Sequence, residues 1–295
     1  MITVLSGGTG TPKLLQGLVE VTDPEDITVI VNTAEDMWLP HGYFSPDIDT
    51  VMYTLSGQIN EETWYGIRGD TFETHKRLLE DGKEILNIGD RDRETHIRRG
   101  ELMKEGNTLT ESVDIQRKEF GISAEILPMT DDEVQTVIVT PSGEMDLHEY
   151  LIEHRDEEVN DIYFKGIESA RATEEVAKAM RHAQRIIIGP SNPISSILPI
   201  TSLNGIKIDR IKCIAVSPIV GGKPVSGPAD KFMQAKGYAP DSQGVTEIYK
   251  GLIRMLVVDE LEKDFDVEGV QIIKASTIMR SMDDKKALAD FLLVM

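Results

Sequence analysis

Ser6-Gly-Gly-Thr-Gly-Thr-Pro-Lys13 gathers glycines, hydroxyls and a lysine into eight consecutive residues. Gly7, Gly8 and Gly10 let a backbone approach an anion, Pro12 suits the first turn of a helix, and a helix N-terminus favours negative charge. Lys13 adds a cation. These are the mechanics of a phosphate cradle, although a tight strand-to-helix turn would use the same residues. The spacing matches neither GxGxxG, since Lys13 stands at the last glycine position, nor GxxxxGK[ST]. A nicotinamide dehydrogenase is therefore disfavoured.

Further polar clusters follow. Asn32-Thr-Ala-Glu-Asp36 comes where a dinucleotide-binding fold would hold a ribose, so Asn32 or Asp36 could bind ribose or base; an Asx-turn would equally explain Asn32. In Ser45-Pro-Asp-Ile-Asp-Thr50 one acid can cap a helix, leaving the other for a hard divalent cation or a base acting on a hydroxyl. Gly89-Asp-Arg-Asp92 is a second acidic cluster, of which capping explains one acid. The six histidines show no pair at metal-ligand spacing, and neither a GxSxG elbow nor a Cys/His pair occurs, which argues against zinc and acyl-enzyme chemistry. Trp64 and Trp38 read first as core residues, but a flat ligand could stack on Trp64.

The elements that must position these residues are legible as patterns. β-branched runs at Ile2 to Leu5, Ile27 to Val31, Ile162 to Phe164, Arg185 to Ile188, Lys212 to Val216 and Met255 to Val258 predict strands. Helical periodicity between several of them, at Pro12 to Glu20, Ser169 to His182 and Ser226 to Lys236, predicts a doubly wound, mostly parallel α/β sheet covered on both faces. Residues 59–122 have helical spacing at Thr71 to Leu79, Thr95 to Met103 and Thr110 to Phe120, which predicts a helical subdomain inserted into a sheet domain of residues 1–58 and 123–295. Val134 to Val139 and Glu144 to Leu147, joined through Pro141 and Gly143, predict a hairpin decorating an edge. Ser276 to Leu293 predicts a final amphipathic helix. Four strands end in Ser6 to Lys13, Asn32 to Asp36, Gly189-Pro-Ser-Asn-Pro193 and Ser217-Pro-Ile-Val-Gly-Gly222, so these loops should converge on a ligand at the carboxyl edge.

Composition narrows the function classes. Among 295 residues, 51 acids against 31 bases give a net charge of -20, the wrong sign for gripping nucleic acid or an anionic membrane. Neither a signal-peptide pattern nor an apolar run of membrane-spanning length is present, and the lone Cys213 lies in an apolar strand pattern, so a soluble protein of the reducing cytoplasm is expected.

Taken in order, Ser6 to Lys13, Val31 to Asp36, Ser45 to Val51, Gly89 to Asp92, Ile126-Leu-Pro-Met129, Gly189 to Pro193, and Val216-Ser-Pro-Ile219 with Pro224-Val-Ser-Gly-Pro-Ala229 resemble the 2-phospho-L-lactate transferase family. The resemblance implies a Rossmann-like sheet with an added helical region, a homodimer, and a Mg2+-dependent transferase of coenzyme F-420 biosynthesis. Such enzymes pass a phospholactyl or phosphoenolpyruvyl unit from lactyl-2-diphospho-5'-guanosine or its enolpyruvyl counterpart to the deazaflavin Fo, 7,8-didemethyl-8-hydroxy-5-deazariboflavin, releasing GMP. By the same resemblance, Gly7, Gly8, Thr9, Gly10 and Lys13 would hold the donor diphosphate, with Asn32, Asp36, Ser191, Asn192 and Ser217 around the guanosine. Lys13 would also neutralise transition-state charge. Asp49 would contact Fo and accept its hydroxyl proton, with Trp64 beside the ring. A second Fo contact falls at Asn87, where the resemblance leads one to expect a basic residue. Asp47, Asp49 and Asp90 are the expected Mg2+ ligands, with Asp92 the remaining candidate. A related group of non-catalytic, nucleotide-sugar-binding regulatory proteins, the gluconeogenesis factors, is the alternative.

Overall fold

The computed structural model describes residues 1–295. Its central sheet has seven parallel strands in the order Gln271–Ala275, Met255–Asp259, Cys213–Val216, Arg185–Ile188, Ile2–Ser6, Ile27–Val31 and Glu125–Pro128. Val4 sits opposite Val29 on one side and Ile187 on the other. The chain leaves Ile2–Ser6 first in one direction and later in the other, which makes its carboxyl end the switch point where open parallel sheets bind ligands.

Alternation along each strand feeds two cores. Leu5, Ile30 and Ile188 enter one, Val4, Val29 and Ile187 the other, and burial on both faces explains why the strands read as continuous apolar runs. Helices Gly10–Val21, Pro46–Leu55, Leu109–Glu119 and Met282–Val294 cover one face through residues such as Leu14, Val51, Val113 and Leu288. Glu174–His182, Ala229–Ala235 and Ser242–Tyr249 cover the other through Val176, Phe232 and Val245. The fold is α/β and doubly wound.

Several expectations need correcting. Ile162 to Phe164 belongs to Asp161–Lys165, which pairs antiparallel with Gln135–Thr140 in a separate three-stranded sheet completed by Gly143–Asp146. The hairpin therefore builds its own small sheet, anchored by the Thr136 N–H on the Ala34 carbonyl (2.7 Å), instead of extending the central one. Two central strands escaped the pattern: Glu125–Pro128 is short and ends in proline, and Gln271–Ala275 is a partly exposed edge carrying Gln271 and Lys274. The last helix starts at Met282, where Ser281 and Asp284 form a capping box. Within 59–122 the helices are Glu73–Glu80, Asp90–Lys104 and Leu109–Glu119, the last packing Leu109 and Val113 into the core of the sheet. No helix is long and apolar enough to cross a membrane. Cys213 is buried and its thiol is pushed up to about 12 by that burial, which makes it inert.

Candidate active site

None of Gly7, Gly8 and Gly10 has a left-handed φ; close approach is what excludes a side chain. A Cβ on Gly10 would lie 1.8 Å from the Pro190 carbonyl oxygen, and one on Gly7 would lie 2.4 Å from Ser196 Cβ. The Gly7 N–H donates to Ser191 Oγ (3.0 Å), which also lies 2.7 Å from Thr11 Oγ1. Asn192 Oδ1 accepts from the Ile194 and Ser195 N–H groups at 3.0 and 3.2 Å. These bonds lock the loops after Ile2–Ser6 and Arg185–Ile188 around a small polar cleft. It is lined by Gly8, Thr9, Gly10, Ser191, Asn192, Ser195, Ser196 and Ser226.

A larger cavity of about 530 Å3 adjoins it, within the range of small-molecule sites. Phe44, Trp64, Tyr65, Ile85, Leu86 and Leu151 give it apolar walls, while Asp49, Asn87 and Asp92 add polar groups. Gly8, Thr9, Glu35, Asp47 and Leu151 line both spaces, so the two cavities meet at the glycine loop.

Asp47 packs its carboxylate directly on that loop: a Cβ on Gly8 would lie 2.4 Å from Asp47 Oδ1. The Asn32 side-chain amide donates to Asp47 Oδ2 (3.0 Å), yet burial dominates and raises the Asp47 carboxyl to about 7. Glu35 is raised well above the usual carboxylate range by burial and then by Asp47 and Asp36. Two acids that resist ionising together at a ligand junction are a natural seat for a cation. No lysine or arginine lines either cavity, and His148, whose imidazole burial pushes down, adds no charge.

Asp49 lies in a buried ion pair, with both Arg99 terminal nitrogens donating to its carboxylate. His96 Nε2 is 3.2 Å from Asp49 Oδ2 and 3.2 Å from Asp92 Oδ1, and Tyr53 donates its hydroxyl to Asp92 Oδ1 (2.7 Å). Burial alone would raise the Asp49 carboxyl, but Arg99 and His96 outweigh it and hold it below its ordinary value. Burial likewise disfavours a charged His96, but Asp49 and Asp92 raise it to about 9. At neutral pH the Asp49 carboxylate thus faces two cations, Arg99 and His96, with Asp92 on the other side of His96. Asp49, Asp92 and His96 have metal-ligand proximity, but Arg99 and the protonated His96 already satisfy the carboxylates, so a metal there would meet two positive charges.

Trp64 is the only non-glycine residue with a positive φ, 59°, a strain on the order of 1 kcal/mol. Two ammonium groups face its ring, Lys13 Nζ at 4.7 Å and Lys285 Nζ at 5.0 Å from the centroid. Such contacts contribute about 0.5 to 2 kcal/mol each, enough to offset that strain. Burial, and then Lys285, lower the Lys13 ammonium from its ordinary value.

Gly8, Thr9, Gly10, Asp47, Asp49, Trp64, Asn87, Ser191 and Asn192 line the joined cavities. Gly7 lies one residue behind, fixing the loop through Ser191. Five expected roles need correction. Lys13 turns to Trp64 and lines neither cavity. Asn32 adopts the Asx-turn, its Oδ1 accepting from the Ala34 N–H (3.1 Å) and its amide spent on Asp47, so neither end is free for ribose. Asp36 is half-buried and turned to Ser45, which donates its hydroxyl at 2.7 Å, and its neighbour Glu35 faces the cavities instead. Ser217 is buried against Ser242 Oγ at 2.9 Å. Asp90 accepts from Thr71 Oγ1 and the Glu73 and Thr74 N–H groups, capping Glu73–Glu80 away from the cavities; Asp92, two residues on, lines the larger one. The Asp49 ion pair also makes that carboxylate a poor base and an unsuitable metal ligand. Glu35, His96 and Arg99 were not singled out as site residues: Glu35 stands beside Asp36, which drew the ribose reading, and His96 and Arg99 lie in a run of acids and bases over 89–99 whose spacing alone assigns no role, while Asp92 was one of four aspartates weighed for Mg2+.

Comparison with known proteins identifies the family. The model of the family described as 2-phospho-L-lactate transferase CofD matches residues 2–286. A relative from Methanothermobacter thermautotrophicus named 2-phospho-L-lactate transferase is 50% identical, the match covering 99% of this chain and 97% of that protein. One of the same name from Methanocaldococcus jannaschii is 47% identical over 98% of this chain and 96% of its own length. The crystal structure of a UPF0052 family member from Bacillus halodurans has the same fold, with a TM-score of 0.65 at 15% identity, covering 99% of this chain and 98% of that one. A glycine-loop cleft opening into an acid-lined, apolar-walled cavity, and matches spanning nearly the whole chain, together make this protein a member of the 2-phospho-L-lactate transferase family.

Proposed function

We propose that the protein transfers a phospholactyl or phosphoenolpyruvyl group from a guanosine diphosphate-linked donor to the terminal ribityl hydroxyl of Fo, releasing GMP, in coenzyme F-420 biosynthesis. The observation that carries this reading is the meeting of two unlike cavities at Gly8, Thr9, Glu35 and Asp47. The polar cleft suits a diphosphate held by loop amides, and the apolar cavity suits a flat ring with a hydroxylated tail. In the transfer, the hydroxyl oxygen bonds to the phosphorus bearing the lactyl or enolpyruvyl group, the P–O bond to GMP breaks with the bridging oxygen leaving on GMP, and the hydroxyl proton passes to the departing GMP phosphate or to solvent. A loose phosphoryl-transfer transition state asks chiefly for positioning and charge neutralisation. Amides of Gly8 to Gly10 orient the diphosphate, and Asp49, held ionised by Arg99, accepts a hydrogen bond from the acceptor.

The net charge of -20 and the absence of cationic side chains from the cavity walls leave the donor diphosphate facing carboxylates. Glu35 and Asp47 fit a divalent cation, and we assign Mg2+ to them in place of Asp49 and Asp90. When bound, Mg2+ would neutralise phosphoryl oxygens and departing GMP. The homodimer is retained as part of the proposal and is checked by light scattering.

The test incubates the protein with Fo and each guanosine donor separately, with Mg2+ or EDTA, and follows GMP and the phosphorylated deazaflavin by mass spectrometry. EDTA-sensitive product supports the transferase and names its donor. Nucleotide binding without GMP release would restore the regulatory alternative, which the family match does not favour.

A further inference from the structure

Trp64 stands between the larger cavity, which it lines, and two ammonium groups that do not reach the cavity wall. Lys285 comes from the C-terminal helix Met282–Val294 and is 4% exposed. Its ammonium donates to Gln16 Oε1 and lies 3.7 Å from Glu61 Oε2. Glu61 belongs to the turn that carries Trp64, a turn closed by the Trp64 N–H on the Asn60 carbonyl (2.8 Å) and the Asn60 N–H on the Gly66 carbonyl (3.1 Å). Lys285 cannot drift, because its own carbonyl packs on Gly17, where a Cβ would lie 2.2 Å from that oxygen. Burying an ammonium is costly, and Glu61, half-exposed, is its only carboxylate partner. A methionine would fill the same volume without that cost. The charge is explained by what it faces: an indole in a left-handed backbone conformation that forms one wall of a ligand cavity.

We propose that Lys285 is a positioning residue for acceptor recognition, fixing the Trp64 ring and its turn as the wall against which the flat ring of the acceptor lies. This rests on the transfer function proposed above. It makes a wall of the acceptor site depend on a side chain of the C-terminal helix, whereas no residue of that helix lines the donor cleft.

The chain has two tryptophans, so a Trp38→Phe background leaves Trp64 as the sole indole reporter. In that background Fo should quench the emission of Trp64. Lys285→Met, which keeps the chain length and removes the charge, should raise both the quenching Kd and the KM for Fo about tenfold, leave the donor KM within about twofold, and be largely rescued by Lys285→Arg. An Fo KM within about twofold of the parent overturns the proposal, as does a parallel rise of both KM values, which would denote general loosening. Should Lys285→Met fail to fold, Glu61→Gln removes only the tether and should raise the Fo KM about threefold; no change there also overturns it. A parent that neither transfers to Fo nor shows quenching defeats the functional reading itself, whereas an active parent with an indifferent Lys285→Met defeats only the role of Lys285.

Discussion

The two halves of the site are built by opposite means. Around the donor cleft the chain approaches itself through glycines and short hydroxyl side chains, and every polar bond that fixes the loops is neutral: Gly7 to Ser191, Thr11 to Ser191, Asn192 to Ser195. Around the acceptor cavity it buries charges, with Arg99, His96, Asp49 and Asp92 balancing one another and two lysines backing an indole. A cleft for an anion must keep its donors free, so its walls are held by backbone approach. A cavity for a large, mostly apolar ligand can spend ionic pairs on rigidity, because burial strengthens them and the pairing cancels their charge.

The largest effect expected from this contrast is on stability at the acceptor side. Arg99→Met leaves Asp49 buried without its strongest partner and should cost about 3–5 kcal/mol in urea unfolding. Asp49→Asn should also destabilise, so loss of turnover in that variant carries structural damage with it. The double variant Arg99→Met/Asp49→Met should recover most of the stability and none of the activity. Full stability in Arg99→Met alone would mean that the ion pair is not what shapes this wall.

At the junction the balance reverses. Asp47→Asn removes a carboxylate that burial already disfavours and whose charge raises Glu35, so Tm should hold or rise while turnover falls at least about a hundredfold. Mg2+ should raise the Tm of the parent by mass action and leave that of Asp47→Asn unmoved. An equal shift in both would take the cation away from Asp47.

The legibility of the sequence divides along the same line. Four strand-end loops were readable because a short strand, a glycine run and a helix start are local events, and they do lie along one edge of the sheet. Whether Asn32 served ribose or an Asx-turn was undecidable from its neighbours, since the deciding partner, Asp47, arrives from another helix. Asp49 was singled out, but its partner Arg99 lies 50 residues away in Asp90–Lys104, where nothing in the neighbouring residues marks it. Nothing local marks Lys285, whose role depends on the packing of the last helix against the first.

A smaller, pH-dependent effect separates the charged cluster from its surroundings. His96 is raised from 6.5 to about 9, so its stabilisation is complete below about 6.5 and is lost as pH rises through 9. The neighbouring His41 is pushed down to about 4 by burial, Arg93 and His96, and stays neutral throughout that window. Urea unfolding of the parent should therefore weaken between pH 6.5 and 9, and His96→Gln should flatten that slope. A slope retained in His96→Gln would place the titrating group elsewhere.

The smallest effect is expected at Asp90, and it sharpens the comparison because Asp90 and Asp92 look equivalent in the sequence. Asp90 spends its carboxylate on Thr71 and on the first turn of Glu73–Glu80, outside both cavities, and those donors hold it well below the usual carboxylate range. Asp92 turns the other way, to His96, Tyr53 and the cavity. Asp90→Ala should lower Tm slightly through the lost cap, with turnover and Mg2+ response within about twofold of the parent. Asp92→Ala should impair acceptor binding at once. If Asp90→Ala instead abolished the Mg2+ response, the acid cluster that opens Asp90–Lys104 would reach the reacting groups after all, and the division between a donor cleft whose loops are held by neutral bonds and a charge-balanced acceptor wall would fail at that point.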